Sequence, residues 1–366
     1  MKFSIARESL STPLQAIAGV VEKKQTMPVL SNILIQVSDD SVTLTGTNME
    51  VELVCRIEDV TVGQTGQITV PAKKLSEIVR SLSEDFAVEL WTEGDRLTLK
   101  SGNSTFTLAT LPAEHFPNVE EETSEYVVKV EQSELKNMIS SAAFAMAQQD
   151  VRYYLNGMLL ESDQDVIRLV ATDGHRLAMA SNKIPTGVTE HKQVIIPRKG
   201  VLELARLLGE DGYVELVISD SHIRSRIGAY TFTSKLIEGK FPDYNRVIPR
   251  GGDKTIMADP AMLKSALLRA GILSHENIRG IRLHLSTNLL KVTANNPEHE
   301  QAEDYVEVDY QGDELQIGFN VGYLIDVMNN IDDERIKIIL SNPNSSALIE
   351  PVNKADVLYV IMPMRL

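Results

Sequence analysis

Three stretches of this chain, residues 1–50, 126–180 and 254–305, repeat one pattern: an apolar–x–apolar opening, a leucine-anchored helical stretch, then two strand-like runs. Leu10/Leu14/Ile17, Leu135/Ile139/Ala142 and Leu263/Leu267/Ala270 hold matching places in it. Leu10 to Leu135 and Thr47 to Thr172 are each 125 residues apart, and Pro71 to Pro197 is 126. A third copy follows 122 to 128 residues later, with Leu263, Gly280, Ala294 and Phe319 facing Leu135, Gly157, Thr172 and Pro197. Solenoid arrays use periods of roughly 20–50 residues, so a period this long is a domain. The expectation is three domains of one fold, at residues 1–122, 123–250 and 251–366.

Each copy predicts two helices and many short strands. The first helices are expected at Glu8–Glu22, Gln132–Met146 and Pro260–Leu273, where apolar residues recur at three- and four-residue spacing. The second helices should begin just after Val70-Pro71, Ile196-Pro197 and Gly318-Phe319. Alternating or β-branched runs such as Ile33–Val37, Val42–Thr47, Gly157–Glu161 and Ile167–Thr172 read as strands. The fold class is therefore α+β, with helices packed on antiparallel sheet. Two Pro-containing connectors, 115–126 and 240–254, open on the same Phe-Pro step, at Phe116-Pro117 and Phe241-Pro242.

A net charge of −15 argues against a nucleic-acid partner unless the basic residues are localised. Residues 1–122 carry 10 basic and 18 acidic side chains, 123–250 carry 16 of each, and 251–366 carry 10 and 17. The single cysteine, Cys55, excludes an internal disulfide framework and reads as a small buried hydrophobe. Arg7 and Glu8 interrupt any signal-peptide core, and no uncharged apolar run approaches the ~20 residues that span a bilayer. A cytoplasmic protein, not associated with membranes, is expected.

Gly-rich phosphate loops, HExxH and G-x-S-x-G are missing from the sequence, and its seven histidines show no metal-ligand spacing, so no cofactor or metal is expected. Asp173 and His175, in Thr172-Asp173-Gly174-His175-Arg176, could form an acid/base pair. The matching segments, Thr47-Asn48-Met49-Glu50 and Ala294-Asn295-Asn296-Pro297, contain no histidine, which favours turn chemistry at all three places. No catalytic residue is assigned. A stronger signal is the basic pair Lys73/Arg80 on one second helix, matched 126 residues on by Lys199/Arg206, each pair two turns apart on one face. The third copy has Val321 and Met328 there. Arg152-Tyr153-Tyr154, read as a strand, should turn at least one tyrosine to solvent, where it could meet sugar-phosphate or stack on bases. The apolar, Met-rich ending Val360–Leu366 reads as a docked strand, an adaptable binding surface, or both.

MKFSI at the start, QDVRYYLNGM, ATDGHRLA, PRKG, FPDYNRV, TANNPE and the ending VIMPMRL together resemble the bacterial DNA polymerase III β subunit, the replicative sliding clamp, over the whole length. The resemblance implies three tandem clamp domains forming half of a closed ring, completed by a second copy into a homodimer. It implies a non-enzymatic processivity factor that encircles double-stranded DNA without sequence preference. Expected partners are the polymerase III catalytic subunit, the clamp loader, and other polymerases and repair proteins that dock through short hydrophobic motifs. DNA contacts or nearby positive potential are implied at Lys24, Lys73, Arg80, Gln149, Tyr153, Tyr154, Arg198, Lys199, Arg206 and Arg246.

A partner-peptide pocket is implied at Leu155, Thr172, Gly174, His175, Arg176 and Leu177, with Pro242, Arg246 and Val247 from the linker and Ser346, Val360, Met362, Pro363, Met364 and Arg365 opposite. The subunit boundary would pack Phe106 and Leu108 against Ile272 and Leu273, with Lys74 and Arg96 near Glu298, Glu300, Glu303 and Asp304. Asn103 and Thr105 stand where related chains often carry arginine, which implies a weaker ionic part of that contact. Two other classes remain beside this one: a scaffold that binds peptides without DNA, and an enzyme built on Asp173 and His175.

Overall fold

A computed structural model describes residues 1–22, 27–117, 126–183 and 191–366. Among these residues there are six α-helices: α1 (Arg7–Val20), α2 (Ala72–Ser81), α3 (Gln132–Ala142), α4 (Arg198–Leu207), α5 (Pro260–Gly271) and α6 (Val321–Asn329). None is long and apolar enough to cross a membrane. Their boundaries follow local chemistry. Asp259 caps α5, its Oδ1 accepting from the Ala261 and Met262 N–H groups at 2.7 and 3.2 Å, with Pro260 in the first turn. Asn320 caps α6 in the same way through Gly322 and Tyr323. The expected continuation of α3 to Met146 instead tightens into a 3-10 turn over Ala143–Ala145.

The chain packs as two compact units, Met1–Gln132 with Leu202–Leu236, and Ser133–Val201 with Ile237–Leu366. The first unit holds a five-stranded antiparallel sheet in the order Thr61–Gln64, Lys2–Ile5, Val88–Glu93, Arg96–Ser101, Ser104–Ala109. Its second sheet has eight strands, in which Tyr230–Lys235 of the middle repeat pairs with Val51–Ile57 of the first. The second unit also has an eight-stranded sheet, where Arg176–Lys183 of the middle repeat pairs with Val357–Ile361 of the last. Its other sheet runs Gln301–Glu307, Leu289–Asn295, Gly280–Ser286, Leu315–Asn320. Period-two alternation puts Leu, Ile and Val of these strands inward, and Cys55 lies among them, its thiol pushed up to about 11 by burial.

One reading of the sequence changes. Tyr153–Leu155 is a 3-10 turn and not part of a strand, because the Asn156 side chain closes the loop after Ala147, its Oδ1 accepting the Asp150 N–H at 2.9 Å and its Nδ2 donating to the Asp150 carbonyl at 2.8 Å. The strands His222–Ile227 and Tyr230–Lys235 form a hairpin about Gly228, whose φ is +58°.

Candidate functional site

In the second unit a cleft of roughly 410 Å³ opens where the Thr172–Arg176 turn, the 242–247 segment and the C-terminal strand meet. Its floor is apolar and buried: Leu155, Leu177, Val360 and Tyr244 belong to one packed cluster with Phe241 and Ile195. The turn is held by its own side chains. Thr172 Oγ1 donates to the Arg176 carbonyl at 2.6 Å, and Asp173 Oδ1 accepts from the His175 and Arg176 N–H groups at 2.9 and 3.0 Å. Gly174 takes φ +87°, and a Cβ there would meet the Arg152 guanidinium at 2.8 Å.

Two arginines shape the walls. Arg152 grips Asp150 through Nε at 3.0 Å and Nη2 at 2.8 Å and donates to the Asp173 carbonyl, holding the Asp150 carboxyl down at about 2. Arg176 reaches Asp173 at 3.1 Å, Asp326 at 2.5 Å and the Phe144 carbonyl at 2.9 Å, while its plane lies over the Phe144 and Tyr323 rings. The His175 ring stacks on Tyr323, so Asp173 is engaged by the turn and by Arg176. Beneath the floor, Tyr244 donates to Glu161, which also accepts from Arg168 and Gln193 at 2.6 Å each. Burial pushes the Glu161 carboxyl up, but these hydrogen bonds outweigh it and hold the group below the usual range. Burial beside that carboxylate pushes the Tyr244 hydroxyl up to about 12.

Of the residues implied as the peptide pocket, Leu155, Thr172, Gly174, His175, Arg176, Leu177, Pro242, Val247, Ser346, Val360 and Met362 line this cleft together. Arg246 does not; its side chain is 86% exposed and paired with Asp243. Met364 and Arg365 line a neighbouring cleft with Lys254 and Arg282, and Pro363 lines neither. Tyr244 and Arg152 line the cleft without being expected there, and Tyr154, expected at DNA, lines it too. The Phe-Pro step that opens the 241–247 segment could have pointed to Tyr244, since Phe241 packs in the same cluster.

The implied DNA contacts are distributed over several elements. Lys24 lies outside the described residues. Lys73 and Arg80 are exposed on α2, beside a groove shared with α1, and Lys73 Nζ is 3.7 Å from Glu77. Arg206 is exposed on α4, 2.5 Å from Glu203, and donates to the Ala16 carbonyl of α1 at 2.6 Å. Lys199 is half-buried, and Arg198 Nη1 donates to the Ala143 and Met146 carbonyls beyond α3. Gln149 is exposed with φ +59°, and Tyr153 is 57% exposed with its ring edge-on to Tyr154.

The implied boundary residues are spread over edge and inner strands, helix α2 and the turns after α5 and before Gln301–Glu307. Phe106 and Leu108 are half-buried on Ser104–Ala109, an edge strand with no charged residue. Lys74 is exposed and Arg96 lies 3.7 Å from Asp95. In the second unit Ile272 is 77% exposed and Leu273 half-buried just after α5. Glu298 and Glu300 are exposed before the edge strand Gln301–Glu307, while Glu303 and Asp304 on it pair with Lys291 and Arg269 at 2.7 and 2.5 Å. Those pairings hold both carboxyls below their usual range.

Residues 1–120, 129–243 and 245–365 match, in order, the N-terminal, central and C-terminal domains of the family described as DNA polymerase III beta subunit. The beta sliding clamp of Pseudomonas aeruginosa is 54% identical over 367 residues, covering 100% of each chain. That of Escherichia coli K12 is 46% identical at the same coverage. The crystal structure of the Pseudomonas aeruginosa DNA polymerase III subunit beta matches with a TM-score of 0.97 at 53% identity, over 100% of both chains.

Proposed function

The chain belongs to the DNA polymerase III beta subunit family, the beta sliding clamps, and from that premise we propose how its own residues carry the role. The family's members are non-catalytic subunits that encircle DNA and tether partners. In our reading the chain is three clamp domains, 1–122, 123–250 and 251–366, acting in the cytoplasm as a homodimeric ring on duplex DNA. The polymerase III catalytic subunit, the clamp loader and other polymerases and repair proteins dock by short hydrophobic motifs into the cleft over Leu155, Leu177 and Val360. That cleft carries the reading, because its buried apolar floor and polar rim suit a peptide with one or two apolar anchors.

The basic residues fit a grip that slides. Each phosphate neutralised adds about 0.9 to the slope of log K against log salt, so a strongly basic lining would hold the ring in place. Lys73 and Arg206 instead have Glu77 and Glu203 beside them, and the overall −15 charge repels duplex elsewhere. Topological closure then supplies the retention. For closure we propose the edge Ser104–Ala109, with Phe106 and Leu108, against Ile272 and Leu273 of a second copy. An uncharged edge strand invites pairing, and two different ends used twice close a ring.

Retention on nicked circular DNA with release on linearisation is the outcome expected of a topological ring. Retention on linear DNA would reject it in favour of ordinary binding. The Ile272→Ala/Leu273→Ala pair should sediment as a lighter species, and an unchanged dimer mass would remove the assigned boundary. Deleting Met362–Leu366 should abolish peptide binding while the fold persists.

A further inference from the structure

The last residues of the chain join two sheets of the second unit. The Met362 N–H donates to the His175 carbonyl at 2.9 Å beside the eight-stranded sheet, and the Met364 N–H donates to the Gly318 carbonyl at 2.8 Å on the edge of the four-stranded one. Pro363 between them has no N–H to offer elsewhere. Leu366 then lies over two glycines. A Cβ at Gly318 would stand 2.6 Å from the Met364 carbonyl oxygen and 2.9 Å from Leu366 Cδ1, and one at Gly280 would stand 2.4 Å from Leu366 Cδ2. Neither glycine has a left-handed backbone, so what each contributes is space. Met362, which walls the peptide cleft, is two residues from the Met364 anchor.

We propose that Gly280 and Gly318 form a seat for the C-terminus and act as positioning residues for the cleft: they set the path of the tail and so the place from which Met362 faces a bound peptide. This rests on reading the cleft as the peptide site. The contact at Gly318 involves backbone, which cannot turn aside, whereas that at Gly280 involves the end of a leucine side chain. Filling Gly318 should therefore displace the tail more than filling Gly280.

The test uses the full-length chain with methyl-labelled methionine and, as probe, a fluorescein-labelled hexapeptide ending in Leu-Leu-Phe, matched to the apolar floor. In Gly318→Ala the Met362 and Met364 methyl resonances should shift and affinity for the peptide fall about tenfold, the scale of a single overpacked contact. Gly280→Ala should lose less, and adding Leu366→Ala should bring no further loss, because both changes break one contact. Unmoved methionine resonances in Gly318→Ala overturn the seat, as do strictly additive losses in the Gly280→Ala/Leu366→Ala pair. Should Gly318→Ala fail to fold, the additivity of that pair decides alone. If the parent chain does not bind the peptide while Gly318→Ala still moves Met362, the seat stands and the peptide reading of the cleft falls.

Discussion

At the turn after Val42–Thr47, Thr47 Oγ1 donates to the Val51 carbonyl at 3.0 Å and Asn48 Oδ1 accepts the Val51 N–H at 2.8 Å. At the turn after Val166–Thr172, 125 residues later, Thr172 and Asp173 make the same two bonds to Arg176 at 2.6 and 3.0 Å. The backbone chemistry is shared, and the residues that follow are not. Where the first turn closes on buried Val51 and continues into buried Glu52, the second closes on Arg176 and continues into Leu177. Leu177 becomes cleft floor, and Arg176 ties the turn to Asp326 and two aromatic rings. A repeated fold thus keeps the hydrogen bonds that make a turn and differs in the side chains that decide whether an apolar cleft forms beside it.

Arg176→Ala should break this contrast most severely. It strips a mostly buried guanidinium from Asp173, Asp326 and the Phe144 carbonyl, and should cost about 3–4 kcal/mol in urea unfolding of that unit. Val51→Ala, at the same repeat position, removes only packing and should cost about 2 kcal/mol. Equal losses at the two positions would erase the distinction.

The pH response of Glu52 sharpens it next. Burial, partly offset by Arg224, raises its carboxyl from the usual 4.5 to about 7. A folded value above the unfolded one means that the stability it contributes is complete below pH 4.5 and is lost as pH rises through 7. The first unit should therefore weaken by about 2–3 kcal/mol between pH 5 and 8, and Glu52→Leu should flatten that dependence. A wild-type stability that does not change over this range would show that burial does not hold the Glu52 carboxyl up. The smallest effects belong to what the turns share. Asn48→Ala should cost about 1 kcal/mol by thermal unfolding and Asp173→Ala more, because it also takes one carboxylate from the Arg176 guanidinium; equal losses would show that this ion pair adds nothing to the shared turn.

Much of this was legible in the sequence, because it is local. Val42–Thr47 forms a strand over the range its alternation predicts, and Gln132 and Pro260 open helices as expected. The turn role of Thr172-Asp173 follows from comparing copies, since Asn48 does the same work without a histidine nearby. What stayed hidden depends on specific side-chain partners, near or far in sequence, that periodicity does not show. Tyr153–Leu155 looks like a strand until Asn156 and Asp150 bind the loop together. Tyr244 gives no sign of its place in the cleft, which depends on the buried Glu161, 83 residues away, itself held by Arg168 and Gln193.

The two eight-stranded sheets make the middle repeat a lender on both sides. Its strand Tyr230–Lys235 completes a sheet with Val51–Ile57, and its strand Arg176–Lys183 completes another with Val357–Ile361. Covalent order and packing order therefore disagree: a segment that reads as one module along the chain contributes to two cores. Expressed by itself, that module would expose a bare hydrogen-bonding edge at each of those strands, each ready to pair with another molecule. The chain can be divided in sequence at places where it cannot be cut.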